Sequence, residues 1–340
     1  MTLATAVALA LTVIRLVPAV TSGARPGITL WAMLPNVPLA FEVEPLGLLF
    51  ALVASGLWIV TSLYSIGYMR ARQEEHQTRY YAFFAVALLG AIGVAFAANL
   101  LTLFLFYELL TLSTYPLVTH HGTEKAMRAG RVYLGILLAT SIGLLLVAIL
   151  WTWKLAGTLE FRPGGVLAGK ADGATVAVLL ALFALGTGKA ALMPVHRWLP
   201  AAMVAPTPVS ALLHAVAVVK AGVFTILKVA VYTFGTDVLY GTGGATALGY
   251  LAAASMVIAG IVALSKDNLK ARLAYSTVSQ LAYIVLGATL ASRNGIVGGG
   301  LHIATHALGK ITLFFCAGAF DVAAHKTNVR DLAGIGRRMP

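Results

Sequence analysis

The sequence predicts an all-α, polytopic membrane protein with about ten transmembrane helices. Composition is the first observation, since 59% of the residues are hydrophobic and only 11% are charged. The mean hydropathy of +0.89 is typical of a membrane protein and not of a soluble enzyme. The second observation is a recurrence of long apolar stretches, and the third is an uneven distribution of basic residues between them.

The apolar stretches define the predicted helices, because a spanning helix needs about 20 mostly apolar residues. Ten spans meet this criterion, at 2–21, 44–67, 80–98, 100–119, 131–153, 175–194, 206–232, 243–264, 270–291 and 296–323. The chain start, MTLATAVALALTVIRLVPAV, has no basic region before its apolar run. It is therefore interpreted as a first membrane helix and not as a cleaved signal.

Basic residues concentrate on one predicted side of the membrane. That side carries Arg70, Arg72, Arg79, Lys125, Arg128, Arg131, Arg197, Lys266, Lys270, Arg272, Lys326, Arg330, Arg337 and Arg338. The other side carries Arg25, Lys154, Arg162, Lys170 and Arg293. Since Lys and Arg favour cytoplasmic loops, the sequence predicts a cytoplasmic N-terminus and a multi-pass protein of the bacterial inner (plasma) membrane.

Several classes of function are disfavoured by the same composition. The single cysteine, Cys316, excludes a disulfide framework, an Fe–S cluster or a cysteine zinc site held by this chain alone. The net charge of +12 comes from short loops between apolar segments, where basic residues meet lipid headgroups. We therefore expect the lipid bilayer, and not nucleic acid, as the partner of these charges, and no cofactor in this chain.

Ionisable residues inside the predicted spans carry the functional information. They are Glu108, Lys189, His214, Lys220, His302, His306 and Lys310. A charged group at this depth costs several kcal/mol unless it is paired or hydrated. One of them could be a structural tie between helices, but the set as a whole indicates a polar path through the membrane.

The stretch LHIATHALGKITLFF has the most informative local spacing. His302, His306 and Lys310 follow at i, i+4 and i+8, so on an α-helix they form one polar stripe about three turns long. Imidazole can accept a proton on one nitrogen and donate from the other, which suits a proton relay. A metal or haem site is the alternative, but a metal usually needs a third ligand and a haem needs imidazoles from opposing helices.

The stretch GTGKAALMPVHRWLPAAMVAPTPVSALLHAVAVVKAGVF predicts a broken helix. Gly186 and Gly188 precede Lys189, and four prolines follow, so we expect one helix to end just beyond that lysine. Broken helices in membrane proteins line cavities and mark ion sites. His214 and Lys220 lie on the next helix, and their spacing of six residues predicts different faces. Charge and depth make a pairing of Glu108 with Lys189 plausible.

Four stretches resemble the antiporter-like subunits of respiratory complex I and of Mrp-type multisubunit cation/proton antiporters. They are FLFYELLTLSTYPLV, the 186–224 stretch above, DNLKARLAYSTVSQLAYIVLG and HIATHALGKITLFFCAGAF. Two of them look closer to the D-type Mrp subunit. The resemblance implies two inverted five-helix repeats, each with a broken helix. It assigns 1–79 to N-terminal helices, 80–232 to the first repeat and 243–340 to part of the second.

The resemblance also implies roles for individual residues. Glu108 is similar to the family's membrane glutamate, and Lys189 to the lysine at the broken helix that pairs with it. Lys220, with His214 beside it, resembles the lysine that continues the polar axis. The remaining three residues match the link between the two half-channels, namely His302, His306 and Lys310.

Three departures from the family pattern affect these expectations. Ala190 stands where many relatives have serine, and Leu192 where many have a polar residue, so hydration near Lys189 is expected to differ. The sequence stops at GIGRRMP, where relatives continue with helices that complete the second repeat. The expectation is therefore that another polypeptide supplies them or that the chain is a fragment.

The function expected from the sequence is proton translocation as a subunit of a multisubunit Na⁺(K⁺)/H⁺ antiporter, without enzymatic chemistry. Its expected partners are other membrane subunits, protons, and Na⁺ or K⁺. One alternative is a proton-pumping subunit of a complex I-like NADH-quinone oxidoreductase or a membrane-bound hydrogenase. A second alternative is a membrane scaffold subunit that does not transport.

Overall fold

The computed structural model describes residues 2–337 and 339, so that Arg338, one of the basic residues counted above, lies outside the described part. The chain forms ten long helices and one β-hairpin. The helices are α1 (Thr2–Thr21), α2 (Pro45–Ala71), α3 (Gln77–Phe96), α4 (Leu100–Val118), α5 (Glu124–Ala156), α6 (Gly173–Gly186), α7 (Thr207–Phe234), α8 (Gly243–Ser265), α9 (Leu269–Thr289) and α10 (Arg293–Ala324). Shorter turns include Thr236–Leu239, Val329–Leu332 and Ile335–Arg337.

Each predicted span overlaps one of these helices, although the span predicted at 175–194 extends beyond the end of α6 at Gly186. Eight helices in the described part of the chain are long and apolar enough to cross a membrane. The two others are α6, which has only 14 residues, and α9, which carries Lys270, Arg272 and several hydroxyl residues. The prediction of a helical, polytopic membrane protein is confirmed.

Most of these helices have a short polar residue at the N-cap position, and its side chain caps the first turn. In each case a side-chain oxygen accepts a hydrogen bond from the backbone N–H three residues later, which satisfies one of the free donors of the first turn. The capping residues are Asn99, Thr123, Asp172, Thr242, Asn268 and Ser292. These caps place the helix starts in the connections, next to the apolar runs.

A β-hairpin follows α1, and the sequence analysis did not foresee it. The strands β1 (Gly27–Leu34) and β2 (Val37–Glu42) pair antiparallel. Strand β2 packs on the α3–α4 connection, where the Asn99 side chain donates to the Pro38 carbonyl over 2.7 Å. The hairpin therefore covers one end of the helix bundle, on the side where α2 begins. We call this the hairpin side, and the opposite side the basic side.

The broken helix is confirmed, but its break comes earlier than predicted. Helix α6 ends at Gly186, and Lys189 lies after the break, in a 3₁₀ turn at Gly188–Ala190. A Cβ at Gly186 would collide with the backbone of Leu145, and one at Gly188 with the Thr140 side chain. Close packing against α5 therefore sets the break, and only glycine fits at these two contacts.

Helix α7 is the centre of the bundle. The 18-residue window that identifies it as a span is 100% buried, against 22 to 56% for the other long apolar helices. It contains π-helical turns at Leu212–Val216 and Ala230–Phe234. Gly222 lets its backbone approach the 3₁₀ turn, because a Cβ there would meet Lys189 and Ala190. Helix α7 is thereby packed directly against the turn that carries Lys189.

Candidate functional site

The ionisable residues singled out in the sequence lie inside the helix bundle, in two clusters. Fully or nearly fully buried side chains are Lys189, His214, Lys220, His306 and Lys310. Glu108 and His302 are partly buried as whole residues. The first cluster joins α4 to the broken segment, and the second joins α7 to α9 and α10.

In the first cluster, Lys189 is bound to α4. Its ammonium donates to the Tyr107 carbonyl over 2.8 Å and to the Thr111 hydroxyl over 2.5 Å. The same nitrogen lies 3.1 Å from the centroid of the Tyr107 ring, in a cation–π contact. The Lys189 backbone N–H donates to the Tyr107 hydroxyl over 3.0 Å. Tyr107 thus fixes both the backbone and the side chain of the lysine at the break.

Glu108 and Lys189 do not form a direct ion pair in the described part of the chain, because the Lys189 ammonium binds Tyr107 and Thr111 while both Glu108 carboxylate oxygens lack a hydrogen-bond partner. A pairing of the two charges over a longer distance stays a prediction. Consecutive residues on a helix point about 100° apart. Since Tyr107 faces Lys189, its neighbour Glu108 faces elsewhere.

In the second cluster, Lys220 of α7 shares a hydrogen bond with His306 Nδ1 of α10. Lys310 donates to the Leu273 carbonyl over 3.1 Å and to the Ser276 hydroxyl over 2.5 Å, both on α9. His214 Nδ1 lies 3.0 Å from the Thr277 hydroxyl, also on α9. The expectation that His214 and Lys220 need not contact each other agrees with these separate partners.

The polar stripe on α10 forms as the spacing predicts. The rings of His302 and His306 stack with centroids 5.9 Å apart and planes 4° apart. The Tyr283 ring of α9 lies 5.8 Å from the His302 ring. Among residues 2–337 and 339, no three His, Cys, Asp or Glu side chains converge in a geometry that could hold a metal ion.

Each of the two clusters contains buried polar atoms that have no hydrogen-bond partner within the described residues. They are both carboxylate oxygens of Glu108 and the Nε2 atoms of His214, His302 and His306. An unsatisfied buried polar atom costs about 1–3 kcal/mol. Such atoms are the positions at which ordered water binds in protein interiors. The clusters therefore have the chemistry of a hydrated path, with unused acceptor and donor positions along it.

One buried ion pair was missed by the sequence analysis. Lys228 of α7 lies 3.2 Å from the Glu44 carboxylate at the start of α2, with exposed side-chain fractions of 1% and 4%. Lys228 also donates to the carbonyls of Ala95 and Ala97. The signal was present, because Lys228 lies inside a predicted span and Glu44 begins another.

The comparisons with known proteins agree on one family. The model described as "NADH:quinone oxidoreductase/Mrp antiporter, TM" matches residues 97–340. A second model, "NADH-Ubiquinone oxidoreductase (complex I), chain 5 N-terminus", matches residues 31–81. The chain belongs to the NADH:quinone oxidoreductase/Mrp antiporter family of membrane proteins. The family resemblance of the four sequence stretches is therefore confirmed.

Curated relatives from this family are named as subunits of antiporters or of redox complexes. A protein of Rhizobium meliloti (strain 1021), named as a probable K(+)/H(+) antiporter subunit, is 32% identical over 317 residues, which is 90% of this chain and 30% of the relative. The "NADH-quinone oxidoreductase subunit L" of Escherichia coli (strain K12) is 30% identical over 313 residues, 90% of this chain and 49% of the relative. The chain thus spans less than half of either relative.

A solved structure of the family has the same fold. A chain of the Mrp complex from Dietzia sp. DQ12-45-1b superposes with a TM-score of 0.79 and 27% identity, covering 94% of this chain and 38% of that one. The antiporter-like fold is therefore shown. The D-type likeness remains an expectation, since the relatives named above come from both kinds of complex and neither is named as a D-type subunit.

Proposed function

We propose that this chain is a proton-translocating membrane subunit of a multisubunit Na⁺(K⁺)/H⁺ antiporter. The observation that carries the proposal is the pair of buried clusters, in which lysines, histidines and a glutamate lie on α4, the turn after α6, α7 and α10, with unused hydrogen-bonding positions. Buried ionisable groups in a membrane cost free energy, so a purely structural role would not account for so many of them. Membership of the antiporter family supports the same function.

The first step is a change of charge at Glu108. Its carboxylate has two buried oxygens without a protein partner in the described part of the chain, so a proton or cation delivered by water can reach it. Neutralising Glu108 removes a negative charge that acts on Lys189. Lys189, held by Tyr107 and Thr111, then loses part of its electrostatic stabilisation and can release a proton.

The second step crosses α7 to the stripe on α10. The close contact at Gly222 joins the backbone of α7 to the turn that carries Lys189. Two residues before Gly222, Lys220 shares its hydrogen bond with His306. Either group can hold the shared proton, so a change of charge on one side of α7 can be passed to the other.

The third step runs along the stripe. His306 stacks on His302 in one direction and precedes Lys310 by one helical turn in the other. Free Nε2 atoms on both imidazoles allow water to continue the relay. No covalent intermediate is needed, because each buried charge sets the protonation of the next by electrostatics.

Orientation, repeats and partners belong to the same proposal. The excess of Lys and Arg assigns the basic side to the cytoplasm of a bacterial cell and the N-terminus to that side. Helices α3–α7 form the first five-helix repeat, and α8–α10 belong to the second. Other membrane subunits complete the antiporter, and the counter-transported ion is Na⁺ or K⁺.

Transport in membrane vesicles that hold the complete complex tests the proposal. We expect Glu108→Gln and Lys220→Ala to abolish cation-dependent proton movement, measured with a fluorescent pH probe, while the chain still co-purifies with its neighbours. Lys125→Ala, which removes an exposed lysine, is the matched control and should transport normally. Wild-type rates in either buried variant would refute the proposed path.

A redox-driven pump is the second candidate, favoured by the similarity to a subunit of an NADH-quinone oxidoreductase. The visible absorption spectrum of the complex purified from native membranes separates the two candidates. Colourless membrane subunits are expected for an antiporter. Flavin or Fe–S absorbance in the purified complex would instead assign this chain to a redox-driven complex.

A further inference from the structure

We propose that a cavity on the basic side collects protons for the stripe on α10, and that Asp321 is the carboxylate that receives them. This inference rests on the proposed function and adds an entrance and a new functional residue to it. The cavity has a volume of about 290 Å³. It is lined by the end of α2, the segment before α7, the start of α9 and the last turns of α10.

The cavity has room and polar groups for water. A water molecule occupies about 30 Å³ in the liquid, so the volume holds several. The polar groups around it include Tyr68, Arg72, Thr207, Lys270 and Asp321. Groups of this kind stabilise a water cluster that is continuous with the surrounding solvent.

Asp321 is held in the cavity by long contacts. The Tyr68 hydroxyl donates to its Oδ2 over 3.4 Å, and the nearer Arg72 nitrogen lies 4.0 Å from its Oδ1. Its side chain keeps 21% of its surface exposed. The Thr207 hydroxyl donates in turn to the Tyr68 hydroxyl over 3.4 Å. Asp321 is therefore positioned by its neighbours, and part of its side chain remains open to water.

Helix α10 places Asp321 in line with the stripe. Asp321 follows Lys310 by eleven residues, which is about three helical turns, so the two side chains lie on the same face about 16 Å apart. The stripe of His302, His306 and Lys310 therefore extends along one helix to the wall of the cavity. Lys310 is the residue of the stripe that is closest to Asp321 along the helix.

Helix α9 supplies the groups between the cavity and Lys310. Lys270 lines the cavity, and its ammonium is fixed by donation to the Ala205 carbonyl over 2.5 Å. One turn later, the Leu273 carbonyl accepts from Lys310, and Ser276 accepts from it as well. Lys270 and Asp321 both line the cavity and are residues of opposite charge type. A proton leaving Asp321 thus meets a row of polar groups that ends at Lys310.

The test removes the carboxylate and keeps its shape. In vesicles with the complete complex, we expect Asp321→Asn to lower the transport rate about tenfold when protons on the basic side are limiting. Charged groups that line a cleft raise the rate at which ions of opposite charge arrive by at least this factor. Asp331→Asn, which changes an exposed aspartate on the same side, should transport as the wild type does. Asp321→Glu should restore most of the rate, which a purely steric role would not explain.

The form of the defect separates proton collection from a structural role. We expect Asp321→Asn to weaken the apparent affinity for protons on the basic side and to leave the maximal rate nearly unchanged. The ionisable groups near Asp321 are Tyr64 and Tyr68 of α2, Arg72 directly after α2 and Lys270 of α9, with Glu74 and His121 also lining the cavity. A loss of maximal rate with unchanged proton affinity would overturn the inference.

Two further outcomes keep this inference distinct from the proposed function. If Glu108→Gln is inactive and Asp321→Asn transports as the wild type does, the entrance at Asp321 is wrong and the central path stands. If both variants transport normally, the proposed function fails and the entrance with it.

A labelling experiment tests the cavity without relying on transport. With Cys316 replaced by alanine, Asp321→Cys should react with a membrane-impermeant thiol reagent added on the basic side. Phe314→Cys, on a residue buried further along the same helix, should stay unlabelled. Failure of the cysteine at 321 to react from that side would overturn the inference.

Discussion

Two groups of buried charges in this molecule are bonded in opposite ways. On the hairpin side, the Glu44 carboxylate accepts from Leu46 N–H, Gly47 N–H and the Tyr232 hydroxyl, and it lies 3.2 Å from Lys228. In the central clusters, Glu108 has no hydrogen-bond partner in the described part of the chain, and three histidines have a free Nε2 atom. The acid on the hairpin side is saturated with protein contacts, whereas the acid and the imidazoles of the central clusters are not, although the lysines there are bonded.

This difference distinguishes a buried ion pair that holds helices together from buried groups that can relay protons. A saturated buried ion pair binds two helices together and resists a change of protonation, because removing either charge leaves the other uncompensated. Groups with free positions exchange hydrogen bonds and protons with water at less cost. The same residue types therefore serve two purposes, and the number of partners distinguishes them.

The largest effect on stability is expected for Lys228→Ala. This change leaves the Glu44 carboxylate buried without its counter-charge, which costs about 3–5 kcal/mol. We expect a large fall in the midpoint of thermal unfolding of the purified protein in detergent. The control is Lys125→Ala, which removes an exposed lysine and should leave the midpoint unchanged. An unchanged midpoint for Lys228→Ala would show that the pair is not a structural tie.

A smaller effect is expected for Tyr232→Phe. Its hydroxyl donates to Glu44 over 2.9 Å, and a hydrogen bond to a charged group contributes about 1.5–3 kcal/mol. The unfolding midpoint should fall, but less than in Lys228→Ala. Tyr240→Phe is the matched control, since Tyr240 is 75% exposed. If both tyrosine variants unfold alike, Glu44 does not depend on its full set of partners.

A still smaller effect, dependent on pH, is expected at Glu74 in the α2–α3 connection. The hydrogen bond from His121 lowers the pKa of Glu74 below its usual value, with smaller contributions from nearby positive charges. A lowered pKa in the folded state adds stability above the unfolded pKa, and this stability is lost as the pH falls through the folded value.

The measurement for Glu74 is the unfolding midpoint as a function of pH. At neutral pH the midpoint of His121→Ala should lie below that of the wild type, and the difference should shrink as the pH falls through the pKa of Glu74 in the folded wild type. The contact contributes less than about 1 kcal/mol to the free energy of unfolding. Glu74→Gln should remove this part of the acid dependence altogether. Identical acid profiles for the wild type and His121→Ala would show that the contact contributes nothing.

The smallest effect on stability is expected for Glu108→Leu. Its carboxylate has no protein partner to lose among the described residues. The free energy of unfolding should therefore fall by no more than about 0.5 kcal/mol, or rise, and the midpoint should stay at or above that of the wild type. Transport in vesicles should nevertheless be abolished. A destabilisation as large as that of Lys228→Ala would place Glu108 among the structural ties and remove the distinction drawn above.

Periodicity and spacing predicted much of the fold and part of the candidate site. Each of the ten predicted spans overlaps a helix, because a membrane requires long runs of apolar residues and such runs are visible in sequence. The α10 stripe of His302, His306 and Lys310 also follows from spacing, since helical geometry is local. The family resemblance is confirmed by the match to residues 97–340.

Contacts between helices were predicted less well. Glu108 and Lys189 do not form the expected ion pair, because the lysine is taken up by Tyr107 and Thr111. The pair of Glu44 and Lys228 was missed, since residues far apart in sequence give no local signal of their meeting. The break comes after Gly186, before the first of the prolines, at a close approach to α5 that gives no local signal in the sequence.

The sequence by itself determined which segments cross the membrane, which side is basic and which ionisable residues lie at depth. These properties depend on composition and on short-range periodicity, which are written along the chain. Only the tertiary structure decided which buried charges are saturated and which are not. The reason is that a hydrogen bond between helices depends on their rotation and separation, and packing around α7 sets both.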